Sequence, residues 1–298
     1  MTKTAMQMLV LLRETCDPKP PARLTADGYG VRERGLRRIA NPADLCALEM
    51  AMQLADSNNG TVTVFAIGPD RLDDHLRLGL AMGAGRALRV WNPAFQGGDA
   101  VSEARLVEQI VNILEPDLFF TGSRLLDRGG DPAPALASAN LGRPYVTSAL
   151  AIACSDGEVE VLRKSDRGAR QRVRAMMPCT LLFEADSCEP RYPDQDALIR
   201  SLDITIEVWD RPELGLCLSV LGAPGALLGK DKCSFPRVNP KRIVTPDANL
   251  PAFERILALL SGGIKPRQGN VHAVSTAQTV DMLYDIFEAE GLIGGGGA

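Results

Sequence analysis

The residues best placed to do chemistry lie between Glu115 and Pro144 (EPDLFFTGSRLLDRGGDPAPALASANLGRP). Its central loop holds two arginines, Arg124 and Arg128, two aspartates, Asp127 and Asp131, and the pair Gly129–Gly130. The run from Asp117 to Thr121 reads as a buried strand, Gly122 as a turn, and the residues from near Asp131 as the start of an apolar helix. A strand that feeds a helix through a glycine loop leaves backbone N–H groups free at the strand's carboxyl end, where open parallel sheets bind nucleotides. The loop fits neither GxGxxG nor GxxxxGK[ST]. On its residues alone an ordinary strand–helix connection stands level with a nucleotide loop.

With 298 residues, 45% of them hydrophobic, the chain suffices for one large domain or a domain with an arm. The 33 basic residues against 37 acidic ones leave a net charge of −4, so no overall field draws nucleic acid or an anionic membrane. The basic run Arg163 to Arg174 alternates around Asp166–Arg167–Gly168, the pattern of a solvated hairpin. Aromatics at 5% leave little for stacking bases. The cysteines (Cys16, Cys46, Cys154, Cys179, Cys188, Cys217 and Cys233) include no CxxC pair, and the only histidines are His75 and His272, so no zinc or cluster site is expected. The opening MTKTAMQMLVLL lacks the form of a signal peptide, and no run approaches a membrane span. The expectation is a soluble, cytoplasmic protein.

Around the loop, strands and helices alternate. Met6 to Leu12 reads as a first buried strand and Arg13 to Arg38 as an irregular polar loop. Asn41–Pro42 opens a helix, with asparagine at the cap, proline at the first helical position and Asp44 near the positive end of the dipole. Strands follow at Thr61 to Ile67, Ala87 to Trp91 and Asp117 to Thr121, with helices at Arg71 to Met82 and Val101 to Leu114. That alternation predicts a parallel sheet with every strand-to-helix loop on one edge. After Pro144 four strands, Val146 to Ala153, Glu158 to Arg163, Arg170 to Ala175 and Cys179 to Phe183, fit antiparallel hairpins, and Ile204 to Trp209 adds another strand.

The fold class is therefore α/β: a parallel Rossmann-like, adenine-nucleotide-binding type of sheet extended by antiparallel strands, with a C-terminal arm. The expected division is 1–216 for the α/β domain and 217–298 for the arm. Two amphipathic helices of the arm, Ala252 to Leu260 and Thr276 to Glu290, the second capped by Thr276, lack a core of their own and would pack on a partner subunit. Ser261–Gly262–Gly263 looks like an ATP loop but follows a helix, so it reads as a glycine-ended helix terminus, and Gly294 to Gly297 reads as a flexible tail.

Several separated stretches resemble the beta (small) subunit of electron-transfer flavoproteins. They are LVLLRET, ANPADLCALEMAM, VFAIGPDR, LAMGAGRALRVW, PDLFFTGSRLLD, ALASANLGRP, the hairpin ending RAMMPCTLL, and EPRY at Glu189 to Tyr192 followed by PELGL. They occur in family order over residues 6 to about 216. The resemblance implies one half of a heterodimer. A larger alpha subunit holds most of a FAD, this subunit covers part of the flavin, and the pair carries electrons between a dehydrogenase and a membrane or soluble acceptor. An electron carrier makes no substrate bond and needs no catalytic residues, and the sequence indeed offers no serine elbow or histidine-based constellation. Two alternatives from other classes stay open: a stand-alone adenine-nucleotide-binding protein, and a structural partner subunit without its own nucleotide.

Members of the family also bind AMP, or a second FAD, within this subunit. The resemblance places that pocket at Leu11, at Asn41, Pro42, Ala43 and Asp44, at Ile67 and Gly122, and along Leu125, Leu126, Asp127, Arg128, Gly129, Gly130, Asp131, Ala133, Ala135 and Leu136. Leu11 and Ile67 read equally as core strand residues, Asn41 as a helix cap and Asp127 as a turn cap. At the phosphate end the chain departs from the family: Pro132 and Pro134 remove two N–H donors, and Asp131 puts a negative charge where phosphate would sit. Arg128, Arg124 and the amides of Gly129 and Gly130 are the groups left to compensate. The docking segment, Arg191, Tyr192, Gln195 and Leu198, departs too. A loop leucine that in the family plugs into an acyl-CoA dehydrogenase is replaced by Gln195, which implies either a different redox partner or docking shifted to Leu198 and Ile199.

Overall fold

The structure, a computed structural model, describes residues 5–20, 23–32, 35–155, 157–229, 234, 246–260 and 274–289. Cys233, Ser261–Gly262–Gly263, His272 and the glycine tail lie outside them. The chain divides into two compact units, Met1–Ser234 and Phe235–Ala298.

The first unit begins with β1 (Gln7–Leu11), which turns into the short ribbon β2 (Glu14–Cys16) and β3 (Arg38–Ala40). Alternating strands and helices follow: α1 (Pro42–Asn58), β4 (Thr61–Ile67), α2 (Asp73–Ala81), β5 (Arg86–Val90), α3 (Ala100–Leu114) and β6 (Leu118–Gly122). The loop after β6 carries a two-residue hairpin, β7 (Arg124–Leu125) and β8 (Gly129–Gly130), before α4 (Ala133–Asn140). Then come β9 (Tyr145–Ser155), β10 (Glu158–Lys164), β11 (Arg170–Met176), β12 (Cys179–Phe183), α5 (Gln195–Asp203), β13 (Glu207–Trp209) and the helical turns α6 (Arg211–Leu214) and α7 (Gly222–Gly225).

Nine strands form one sheet in the order β11-β10-β9-β12-β6-β1-β4-β5-β13. From β9 to β13 all neighbours are parallel, and β10 and β11 add an antiparallel ribbon. Strand β1 shows why the centre forms here: every residue from Met8 to Leu12 is buried, as a parallel strand covered on both faces requires. Met8, Val10 and Leu12 face a core shared with α1 and α2, while Leu9 and Leu11 face one shared with α3 and α4. From β1 the chain steps outward through β4 to β5, then returns to lay β6 on the other side of β1. The crevice outside the carboxyl ends of β1 and β6 is thus the topological switch point.

Strand β12 differs from expectation. It does not pair with β11 as a hairpin arm but enters parallel between β9 and β6. All five of its residues are buried, and a run without polar alternation suits an interior strand, not a half-solvated hairpin.

The arm expected from 217 begins with residues that lie on the sheet unit. Leu221 is fully buried with the α3 core, Arg105 donates to the Val220 carbonyl at 2.9 Å, and the amides of Leu227 and Leu228 each donate to Asp99 at 2.7 Å. The second unit holds α8 (Ala252–Leu260) and α9 (Thr276–Ala289). Both expose large apolar side chains, among them Phe253, Leu260, Val280 and Tyr284. At the start of α9 it is Ser275, not Thr276, that exchanges capping bonds with Gln278.

Candidate functional site

Four chain segments that are distant in sequence meet at the switch-point crevice. Arg13 follows the last buried residue of the first strand, and its guanidinium is 6% exposed. Asp44, in the first turn of α1, accepts from Arg13 Nε at 3.0 Å and Nη2 at 2.6 Å, and from the Arg13 amide at 2.9 Å. From the next strand, Gly122 donates its amide to Asp44 at 2.6 Å, and its carbonyl accepts from Arg13 Nη2 at 2.7 Å. Glycine is required there: an added Cβ would lie 2.5 Å from Ala43 Cβ and 2.7 Å from Asp44 Oδ1. Asp131 completes the cluster, its Oδ2 accepting from Arg13 Nη1 at 2.7 Å and its Oδ1 from the Ala133 amide at 3.0 Å.

Asn41 occupies the cap position of α1 without capping it. Its amide nitrogen donates to the Arg124 carbonyl at 2.9 Å and its oxygen accepts from the Leu126 amide at 3.2 Å, so it holds the β6–α4 loop instead. Asp127 accepts from the Cys16 amide at 3.0 Å and ties the same loop to β2. The Arg128 guanidinium, 66% exposed, leans on Asp127 at 3.3 Å. Gly129 and Gly130 pair with Leu125 and Arg124 in the small hairpin. Leu11, Ala43, Leu125 and Ala133 are buried, Pro42, Ile67 and Ala135 half-buried, and Leu126 and Leu136 exposed.

The electrostatics follow from this packing. Burial works against the Arg13 charge, but Asp44 and then Asp131 outweigh it, so Arg13 holds its proton more tightly than a free arginine. Glu103, in the first turn of α3, is pushed up to about 7, first by burial and then by the charge of Asp131. Neither Arg13 nor Glu103 stands among the residues expected from the sequence. The only signal for Arg13 was a charged residue directly after a wholly buried strand.

The docking residues lie elsewhere. Arg191 donates its amide and its guanidinium to Glu49 of α1, both at 2.9 Å, and reaches Asp56 at 3.1 Å. Tyr192 is 95% exposed. Gln195 opens a helix where a polar loop was expected: Asp194 caps α5 by accepting from the Ala197 amide at 2.6 Å. The exposed face of α5 carries Leu198, Ile199 and Leu202, and with Asp74, Arg77 and Leu78 of α2 it lines a cavity of about 420 Å³. Among the described residues no His, Cys, Asp or Glu side chains group to hold a metal ion, and no helix is long and apolar enough to cross a membrane.

A doubly covered parallel sheet with a polar, ion-paired crevice at its switch point defines a protein of the nucleotide-binding α/β class. Residues 29–213 match the family described as the electron transfer flavoprotein domain, and the chain belongs to that family, on its beta-subunit side. It is 31% identical over 222 residues to Protein FixA of Azotobacter vinelandii, covering 71% of this chain and 78% of that protein. It is 28% identical to the electron transfer flavoprotein subunit beta of Methylophilus methylotrophus, over 73% of this chain and 84% of the relative. The caffeyl-CoA reductase-Etf complex subunit CarD of Acetobacterium woodii is 29% identical, over 73% and 83%.

Proposed function

We propose that this chain is the beta half of a cytoplasmic heterodimer whose larger alpha subunit holds most of a FAD. The pair takes electrons from a dehydrogenase and hands them to a membrane or soluble acceptor, and this chain carries no residue that makes or breaks a substrate bond. The observation that carries the reading is the family match over residues 29–213, which spans most of the elements that build the crevice. The apolar faces of α8 and α9 support burial against the alpha subunit, because helices with so much exposed leucine, phenylalanine and isoleucine gain by covering them. The redox partner docks on the α5 face, where Leu198, Ile199 and Leu202 supply apolar surface that Gln195 does not.

Expression with and without the neighbouring large subunit tests the proposal. The expected result is a colourless protein alone and a yellow heterodimer with bound FAD. A stable yellow monomer, or a chain that ignores the large subunit, would overturn it.

A further inference from the structure

The switch-point crevice has two features of an anion site: a buried arginine reaching across it and the start of a helix at its far wall. Both are already engaged. Arg13 Nη1 donates to Asp131 Oδ2 at 2.7 Å, and the first amide of α4, from Ala133, donates to Asp131 Oδ1 at 3.0 Å. Nε and Nη2 of Arg13 go to Asp44 and the Gly122 carbonyl. The neighbouring helical position, Pro134, has no N–H to offer, and neither does Pro132 before the helix. Asp131 is itself inaccessible, its side chain only 8% exposed.

The charge count points the same way. One buried cation, Arg13, faces the carboxylates of Asp44 and Asp131, so the cluster is negative before any ligand arrives. Glu103 stands close enough to feel Asp131 and Arg13, which adds a third carboxyl to the same corner. Arg128 offers only a partial counterweight: its charge reaches Glu103, but its exposed guanidinium rests on Asp127. A phosphate entering here would have to displace Asp131 from both donors and would meet two or three carboxyls while doing so.

We infer that Asp131 is a built-in anion that takes the place of a nucleotide's phosphate, so that this subunit closes its own crevice and binds neither AMP nor a second FAD there. The carboxylate ties the start of α4 to Arg13, which in turn holds Asp44 in the first turn of α1 and the Gly122 carbonyl at the end of β6. The inference rests on the family reading for what the crevice would hold, and on the Arg13–Asp131 geometry for why it does not.

The test uses the full-length chain and its flavin-loaded complex with the alpha subunit. Wild-type complex, denatured and chromatographed, should release FAD and no AMP, and millimolar AMP or inorganic phosphate should leave the melting temperature of the wild-type chain unmoved. Asp131→Ala and Asp131→Asn should melt lower than wild type and be raised by AMP or phosphate, with AMP bound about tenfold or more tighter than by wild type. The asparagine variant keeps the side-chain shape and serves if the alanine variant does not fold. Stoichiometric AMP or a second FAD released from wild type would overturn the inference, as would variants that respond to neither anion. A chain that forms no flavin complex would instead count against the family reading, since the melting measurements need only the chain itself.

Discussion

Replacing Arg13 with methionine removes the one buried cation of the crevice while keeping much of its apolar stem. Four side-chain hydrogen bonds disappear, two to Asp44, one to Asp131 and one to the Gly122 carbonyl. Asp44 keeps the backbone amides of residue 13 and Gly122, and Asp131 keeps that of Ala133, so neither carboxylate is stripped bare. Breaking one side of a buried pair costs about 3–5 kcal/mol, a large part of the roughly 5–15 kcal/mol that holds a domain together. Two carboxylates left facing each other favour taking up a proton in the folded state. The folded variant then binds more protons than the unfolded chain at mild acidity, so its stability falls as pH rises, and the loss relative to wild type is larger near pH 8 than near pH 5. Urea denaturation of both proteins at the two pH values reads this as a change in midpoint at constant slope. A loss under about 1 kcal/mol, or the same loss at both pH values, would refute the account of a buried, charge-compensated cluster.

Glu103→Gln should change the pH dependence of stability: with the folded carboxyl at about 7 against an ordinary 4.5, the wild type loses up to roughly 3 kcal/mol as pH rises through that window. The variant should lack this fall, and equal urea midpoint shifts in the two proteins would disprove it. Among the described cysteines, Cys217 should be alkylated first, because it is exposed and its hydrogen bonds with Ser219 favour the thiolate, whereas burial pushes Cys154 up to about 11 and Cys179 and Cys188 up to about 12. Peptide mapping after a short iodoacetamide pulse reads the order, and earlier labelling of Cys179 would count against the packing of β12. Gln195→Leu should extend the apolar face of α5 and tighten docking of an acyl-CoA dehydrogenase by ~1–3 kcal/mol if the new side chain is buried. An unchanged electron-transfer rate with that dehydrogenase would remove residue 195 from the docking surface.

The sequence showed the alternating half of the fold well, because β1, β4, β5 and β6 are short, mostly apolar runs separated by helical patterns. It misled at β12, where order along the chain suggested a hairpin partner and only uniform burial marks an interior strand. It misled again at Gln195, since Pro193, Asp194 and Asp196 look like a loop while Asp194 in fact starts a helix. The crevice was partly legible. Asn41, Asp44, Gly122 and Asp131 stood out as caps, turns and charges, but Asn41 binds a loop instead of its helix. Arg13 stayed hidden because its partners come from positions 44, 122 and 131, and no local pattern encodes so distant a meeting. Glu103 looked like an ordinary acidic residue in a first helical turn until Asp131 lay beside it.

Strand β11 ends the nine-stranded sheet with one edge unpaired among the described residues, and it carries Arg170, Arg172 and Arg174. Arg172 and Arg174 share the single carboxylate of Glu160, so the edge keeps a positive excess. Two copies laid edge to edge would align these arginines across about 5 Å, and the repulsion blocks the strand addition that bare sheet edges invite. That protection is only as long-ranged as the solvent allows. At ~0.15 M salt the screening length of about 8 Å leaves it in force, while at ~1 M, with about 3 Å, it largely vanishes. Concentrated salt therefore lets two copies of this border approach each other, whereas an acidic strand finds it welcoming in dilute buffer.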